Sequence, residues 1–286
     1  MAANITVLYG GEPGESAALD FTALLARGLD ARAECRFTRD PLGALTSDQR
    51  NDYRNLVEMS GWVQAHAYLV ETSQEKVRQL SEAAAQVFHK TFASAAIGWE
   101  RPLDLSDRAD AELTTLGFTR DMVIASFGIH DGVRDALLKR VLMGAGAQIG
   151  LVAHAPKAAS LEDATMVVAW KPSAAAKHAL RYALPMMRKA AKVHLVSIDE
   201  DSAPKSVPSA QQIADYLMEV HCVSVQASGL RAADSPPEQL AEFYAEIGAD
   251  MLVMGAYSMS RLQEMFFGGF TKYFLAKRPC NLLLAH

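Results

Sequence analysis

The stretch ADMLVMGAYSMSRLQEMFFGGFTKYFLAKRPCNLLLAH, residues 249–286, runs strand, turn, helix, helix, strand. Residues 251–254 are an apolar run ending at Gly255, the pattern of a buried strand closed by a glycine turn. A short polar turn follows, then Leu262, Met265, Phe266 and Phe267 at helical spacing. The helix breaks at Gly268 and Gly269, a second helix is predicted from about Thr271, and Pro279 leads into a last strand at 281–285. Glycines let backbone approach a ligand closely, and the amides of two helix starts aim at one gap. That combination can hold an anion such as a phosphate. The competing account of the same glycines is helix C-capping.

Upstream, the same alternation leads back to residue 165. Strands are predicted at 165–170 (TMVVAW), 192–198 (KVHLVSI) and 220–227 (VHCVSVQA), with helices at 173–191, 207–219 and 236–247 between them. Leu180, Leu184 and Met187 face inward on the first of these helices, and Pro185 is expected to bend it. Residues 155–163 (APKAASLED) read as a linker.

Before the linker comes a similar series. Strands are predicted at 5–9, 33–37, 96–103, 122–127 and 148–153. Helices are predicted around Phe21 to Leu29 and at 73–95, 107–116 and 133–142. Val77, Leu80, Ala84, Val87 and Phe88 should share one face of the second. Residues 46–69 look like a helical insertion with Leu56, Val57, Val63 and Tyr68 inward. Gly144 and Gly146 read as a helix-to-strand connection.

Two halves of five strands each, alternating with helices, predict a duplicated α/β chain with mainly parallel sheets covered on both faces. At 286 residues, two domains are the natural division: 1–156 and 163–286. A net charge of −5 argues against a nucleic-acid surface, and no apolar run is long enough to span a membrane as a helix. Residues 1–16 lack a basic start and predict no signal peptide. Cys35, Cys222 and Cys280 are odd in number and far apart, the usage of reduced thiols in a cytoplasm, with no metal spacing among them.

In an open parallel sheet the ligand crevice lies at the carboxyl ends of the strands where their order reverses. In the second half that crevice would be bounded by Trp170, Lys171 and Pro172 on one side and by Gly255 onward on the other. The sequence from Val253 to His286 resembles the C-terminal signature of the universal stress protein family: Gly, two residues, Gly, nine residues, Gly, then Ser or Thr. Gly255 and Gly268 match its first and third glycines, Ser258 replaces the second, and Gly269 replaces the hydroxyl residue. Thr271 matches a threonine common in the family, and MVVAWKPSAAAKHAL is similar to the family's first strand and helix.

The resemblance spans the second half and, more faintly, the first. It implies two doubly wound, Rossmann-like domains of the adenine nucleotide alpha hydrolase-like type, each with five strands in the order 3-2-1-4-5. It also implies ATP or another adenine nucleotide held across the first and fourth strands of the second half. Gly255, Ser258, Gly268, Gly269 and Thr271 would then surround the phosphates, Lys171 would reach a phosphate or lie in solvent, and Ala169 and Ser197 would be on the adenine side. In the family the fifth strands of two domains pair, so residues 150–153 and 282–285 would pair within this chain as a pseudo-dimer, with a further homodimer compatible.

The departures carry chemistry of their own. Lys171 stands where nucleotide-binding members place an aspartate, and an ammonium accepts no hydrogen bond from adenine or ribose. Ser258 narrows the approach of backbone to phosphate, and Gly269 removes a hydroxyl but keeps its amide. The first half reproduces none of the glycine spacing and reads as a degenerate domain that binds no nucleotide.

His130 and Asp131 are adjacent in a loop without a nucleophile motif, and His154 and His286 sit at equivalent strand ends without a third ligand. Ser260 to Gln263 fits a capping box, and no GxxxxGK[ST] is present. The function expected is a cytoplasmic stress-response protein whose second domain binds ATP, ADP or AMP. The alternative is a ligand-free scaffold acting through protein contacts. Slow ATP hydrolysis ranks third, with no catalytic residue assigned.

Overall fold

Among the described residues, ten strands lie side by side in one sheet. The structure is a computed structural model describing residues 3–10, 14–38, 47–61, 98–99, 109–129, 134, 137–198, 208–230, 235–256 and 269–286, with short helical pieces between 64 and 90. The first half contributes β1 (Asn4–Tyr9), β2 (Arg32–Phe37), β3 (Gly98–Trp99), β4 (Met122–Ser126) and β5 (Gln148–Val152). The second contributes β6 (Thr165–Ala169), β7 (Lys192–Ile198), β8 (Gln226–Leu230), β9 (Met251–Gly255) and β10 (Leu282–Ala285).

Across the sheet the order is β3-β2-β1-β4-β5-β10-β9-β6-β7-β8. Every neighbouring pair is parallel except β5 and β10, which run antiparallel with Leu151 opposite Leu282 and Ile149 opposite Leu284. Both strands are buried on both faces, which accounts for the apolar run that follows Gln148 in β5 and fills β10. The molecule is α/β on a large, mainly parallel sheet.

Helices cover both faces. On one side α1 (Ser16–Leu29), α4 (Ala174–Met187) and α5 (Ala210–His221) pack on Val7, Ile124, Val168 and Leu195. On the other, α3 (Ala109–Thr119), a π-helix (Leu137–Ala145), α6 (Pro236–Glu246) and α7 (Gly269–Lys277) pack on Val123, Val167, Leu252 and Leu284. α2 (Ser47–Ser60) belongs to the insertion.

Several elements differ from their sequence expectations. Residues 220–225 are not a strand: a capping box of Ser209 and Gln212 sets the start of α5, which carries on to His221. Cys222 then closes it in the left-handed conformation (φ 55°), and β8 begins only at Gln226. The helix before β5 is a π-helix that includes Gly144, and only Gly146, at φ 73°, makes the turn into the strand. The insertion is broken after α2 by Gly61 at φ 82°. The helix expected at 107–116, whose composition reads as polar, is α3, and it buries Leu113 and Leu116. Val87, placed on a core face by its spacing, is 40% exposed. α4 ends at Met187, four residues short of expectation, and α7 starts two residues early, at Gly269.

The connection between the halves is tied down by two buried polar residues. Asp250, just before β9, accepts hydrogen bonds at Oδ1 from the Lys157 and Ala158 amides (2.8 and 2.9 Å) and at Oδ2 from the Thr165 amide (2.9 Å). Asn281, just before β10, accepts from the Ala153 and His154 amides (2.9 and 3.1 Å) and donates to the Asp250 carbonyl (3.0 Å). A predicted linker is thus held by specific backbone contacts, and it contains a 3-10 turn at Leu161–Asp163.

Candidate functional site

In the second half the helices after β6 and β9 leave the sheet on opposite faces, so a crevice opens at the carboxyl ends of these two neighbouring strands. Its β6 side ends in Ala169, Trp170 and Lys171. Ala169 belongs to the layer of α6 and α7. Trp170 turns the other way, into the layer of α4 and α5, where its indole N–H donates to the Pro208 carbonyl (3.4 Å). The mouth of the crevice is not plugged by that indole. Lys171 is exposed just beyond the strand.

α4 follows at once. Ser173 caps it, accepting a hydrogen bond from the Ala176 amide (3.2 Å). Gly255 ends β9 beneath this first turn. A Cβ at Gly255 would stand 2.5 Å from the Ala175 carbonyl carbon and from the Ala176 nitrogen. Glycine is therefore required here so that strand and helix backbone can meet, a reason independent of any ligand. The next residue is also committed: the Ala256 amide donates to the Ala285 carbonyl (2.8 Å), and His286 Nδ1 lies 3.0 Å from the Ala256 carbonyl oxygen.

Opposite, α7 starts at Gly269. This residue is exposed, and a Cβ added to it would meet nothing within 4 Å. Because α7 links two parallel strands, its N-terminus, with its amides and positive dipole end, lies on the carboxyl-end side of the sheet. Thr271, two residues into the helix, is buried. Ser258 and Gly268, along with the helix expected at 262–267 and the capping box from Ser260, lie outside the described residues.

Ser197 is in β7, in line with Val193 and Leu195, so it faces the layer of α4 and α5 rather than that of Ala169. It is 3% exposed, and its hydroxyl has no hydrogen-bond partner among the described residues. The two residues expected on one side of an adenine thus point to opposite faces of the sheet.

Sequence reasoning missed a contact at this end: His178, on the second turn of α4, has Nδ1 3.0 Å from the backbone carbonyl oxygen of His286. Their separation of 108 positions leaves no local signal. It also missed Asp250 and Asn281, although a lone polar residue before an apolar strand is a visible cue. Among the described residues no group of three side chains could hold a metal ion.

The equivalent end of the first half is filled from within. Glu15, at the start of α1, is 3% exposed, and its carboxylate accepts a hydrogen bond from the Gly10 amide (2.6 Å) at the end of β1. Burial, then the Glu15 charge, pushes the neighbouring Tyr9 hydroxyl up. A Cβ at Gly10 would stand 2.6 Å from the Thr38 carbonyl oxygen, so β1 and the end of β2 close tightly beside it. Beyond β4, the Gly128 amide donates to Ser126 Oγ (3.0 Å), turning the chain back on itself.

Comparison with known proteins places this architecture. Residues 164–286 match the family model described as the Universal stress protein family. No curated protein sequence matches the chain. Among solved structures, a universal stress protein from Archaeoglobus fulgidus DSM 4304 is similar at 14% identity and a TM-score of 0.65, over 99% of this chain and 95% of that one. A putative universal stress protein from Pseudomonas aeruginosa UCBPP-PA14 is similar at 12% identity and a TM-score of 0.57, covering 99% and 93%. A functionally unknown protein from Pseudomonas aeruginosa PAO1 is similar at 11% identity and a TM-score of 0.60, covering 99% and 92%. Residues 164–286 thus match the universal stress protein family, and the chain from end to end has the fold of solved universal stress protein structures.

Proposed function

We propose that the second half binds an adenine nucleotide (ATP, ADP or AMP) in the crevice between β6 and β9, and that occupancy alters its contacts with partner proteins during stress. The observation that carries this reading is Gly269, an exposed glycine opening α7 with empty space where a side chain would project. Helix amides presented this way suit a phosphate. Lys171, exposed across the mouth, supplies a cation for the phosphates and takes no part in recognising adenine. Thr271 supports the α7 turn from below, and Ala169 contributes apolar surface on the base side. Ser197 enters only if the base reaches the opposite layer.

The first half, with Glu15 on the Gly10 amide, binds no nucleotide in this reading. It serves as the other half of an intramolecular pseudo-dimer across β5 and β10, and a homodimer of whole chains would use other surfaces. A cytoplasmic location accords with three free cysteines, and burial pushes the Cys35 and Cys280 thiols up and out of reach of chemistry.

A second reading, a ligand-free scaffold, is favoured by Gly255, whose glycine is explained by α4 packing alone, and by Lys171 in the place of an aspartate. Titration calorimetry of nucleotide-stripped protein with ATP separates the two. Saturable one-site heat supports the crevice, and its absence supports the scaffold.

A further inference from the structure

A cleft of about 580 Å³ lies on the face of the sheet covered by α1, and it shares no residue with the β6–β9 crevice. One wall is a stripe of α1: Asp20, Ala23, Leu24 and Arg27, at the i, i+3, i+4, i+7 spacing of one helix face. The charged ends of this stripe stand roughly 10 Å apart along the axis, with small apolar surface between them. The second wall is the alanine- and proline-rich connection between the halves, and Val87 and Lys90 close the third side.

Two of these walls are fixed against each other. The Asp250 carboxylate fixes the connection through the Lys157 and Ala158 amides. At its far end Leu161 packs so closely on α1 that a Cβ at Gly28 would stand 2.6 Å from it. Small side chains keep the cleft broad, of a size suited to a small organic molecule. Two cations and one anion line it, and among the described residues none of the three is held in an ion pair.

We propose that this cleft binds a small organic anion with a flat apolar body, an arylcarboxylate in chemical class, its carboxylate held by Arg27 and Lys90. Asp20 orients it by repelling the charged end toward Arg27. The alanines and Val87 cover the ring.

Titration calorimetry of the full chain with naphthoate tests this, with naphthylmethylammonium as the cation of matched shape. Naphthoate is expected to bind once per chain and the ammonium not at all. Affinity should fall roughly tenfold in the double variant Arg27→Gln, Lys90→Gln, as loss of hydrogen bonds to a charged group predicts. Ala155→Trp, at an exposed position, should abolish binding by filling the cleft while leaving the circular dichroism spectrum unchanged. Absence of saturable naphthoate binding, or binding undiminished in both variants, overturns the proposal. So does loss of naphthoate binding in Gly269→Asp, which would place the anion in the β6–β9 crevice instead.

Discussion

Glu34 is a carboxylate buried between strands at the centre of the first half, and its partners decide whether it stabilises the fold. It accepts hydrogen bonds from Thr6 Oγ1 (2.7 Å) and Arg120 Nε (2.7 Å), and a second Arg120 nitrogen lies 2.6 Å away. Burial pushes its carboxyl up, but the Thr6 hydroxyl and the Arg120 guanidinium outweigh burial and hold it below the usual carboxylate range. A folded-state value below the unfolded one means stability that is present above the ordinary carboxylate pKa and lost as pH falls through the lowered value. Glu34→Gln, which leaves Arg120 largely buried without its counter-charge, should cost about 3 kcal/mol at pH 7. Urea unfolding should show this deficit shrinking toward zero in acid, and a deficit that is flat with pH would rule the ion pair out as its cause.

Gly255 shows at the same scale what sequence reveals about a residue. The glycine pattern marks a position where a Cβ is not tolerated. It does not say whether a ligand or the chain's own backbone comes close, and here Ala175 and Ala176 do. Lys171 is legible as a departure because its charge contradicts the role its position implies.

Among elements, the connection between halves is the one whose character sequence obscured. Pro, Ala, Ser and mixed charge read as a linker, yet two of its amides, and that of Thr165 at the start of β6, end on the two oxygens of Asp250. Those contacts join positions 85 to 93 residues apart, and no local pattern carries them. Asp250→Asn keeps the shape but turns one acceptor into a donor facing an amide. It should cost about 3 kcal/mol, the scale of hydrogen bonds to a charged group. Hydrogen exchange at the Lys157, Ala158 and Thr165 amides should accelerate selectively, whereas a uniform acceleration would show that Asp250 does not act as a local latch. Apolar strands such as β4, β9 and β10 were legible nearly to the residue because burial on both faces demands continuous hydrophobicity. β8, with an exposed and mixed pattern, carries no such demand, and the preceding helix ran two residues into its expected range.

For the whole molecule, the seam of β5 and β10 makes one sheet out of two five-stranded units. Strand alternation reveals α/β layering, while the pairing of two distant edges depends on their coming together in space. Residues 163–286 alone would expose Leu282, Leu283 and Leu284 along an unpaired edge, and such edges recruit partners. That fragment should sediment as a dimer or larger species, and a stable monomer at tens of micromolar would contradict an essential role for the seam. The crevice is the other property of the whole, since its walls come from two strands and two helices brought together by the strand order. The most direct test titrates ATP into nucleotide-stripped wild type and into Gly269→Asp. Aspartate in the first turn of α7 favours the helix, so the fold is kept while its charge opposes a phosphate. The account predicts saturable one-site binding by the wild type, weakened at least roughly tenfold in the variant through like-charge repulsion. Equal affinities in the two proteins, or no binding by the wild type, would contradict it.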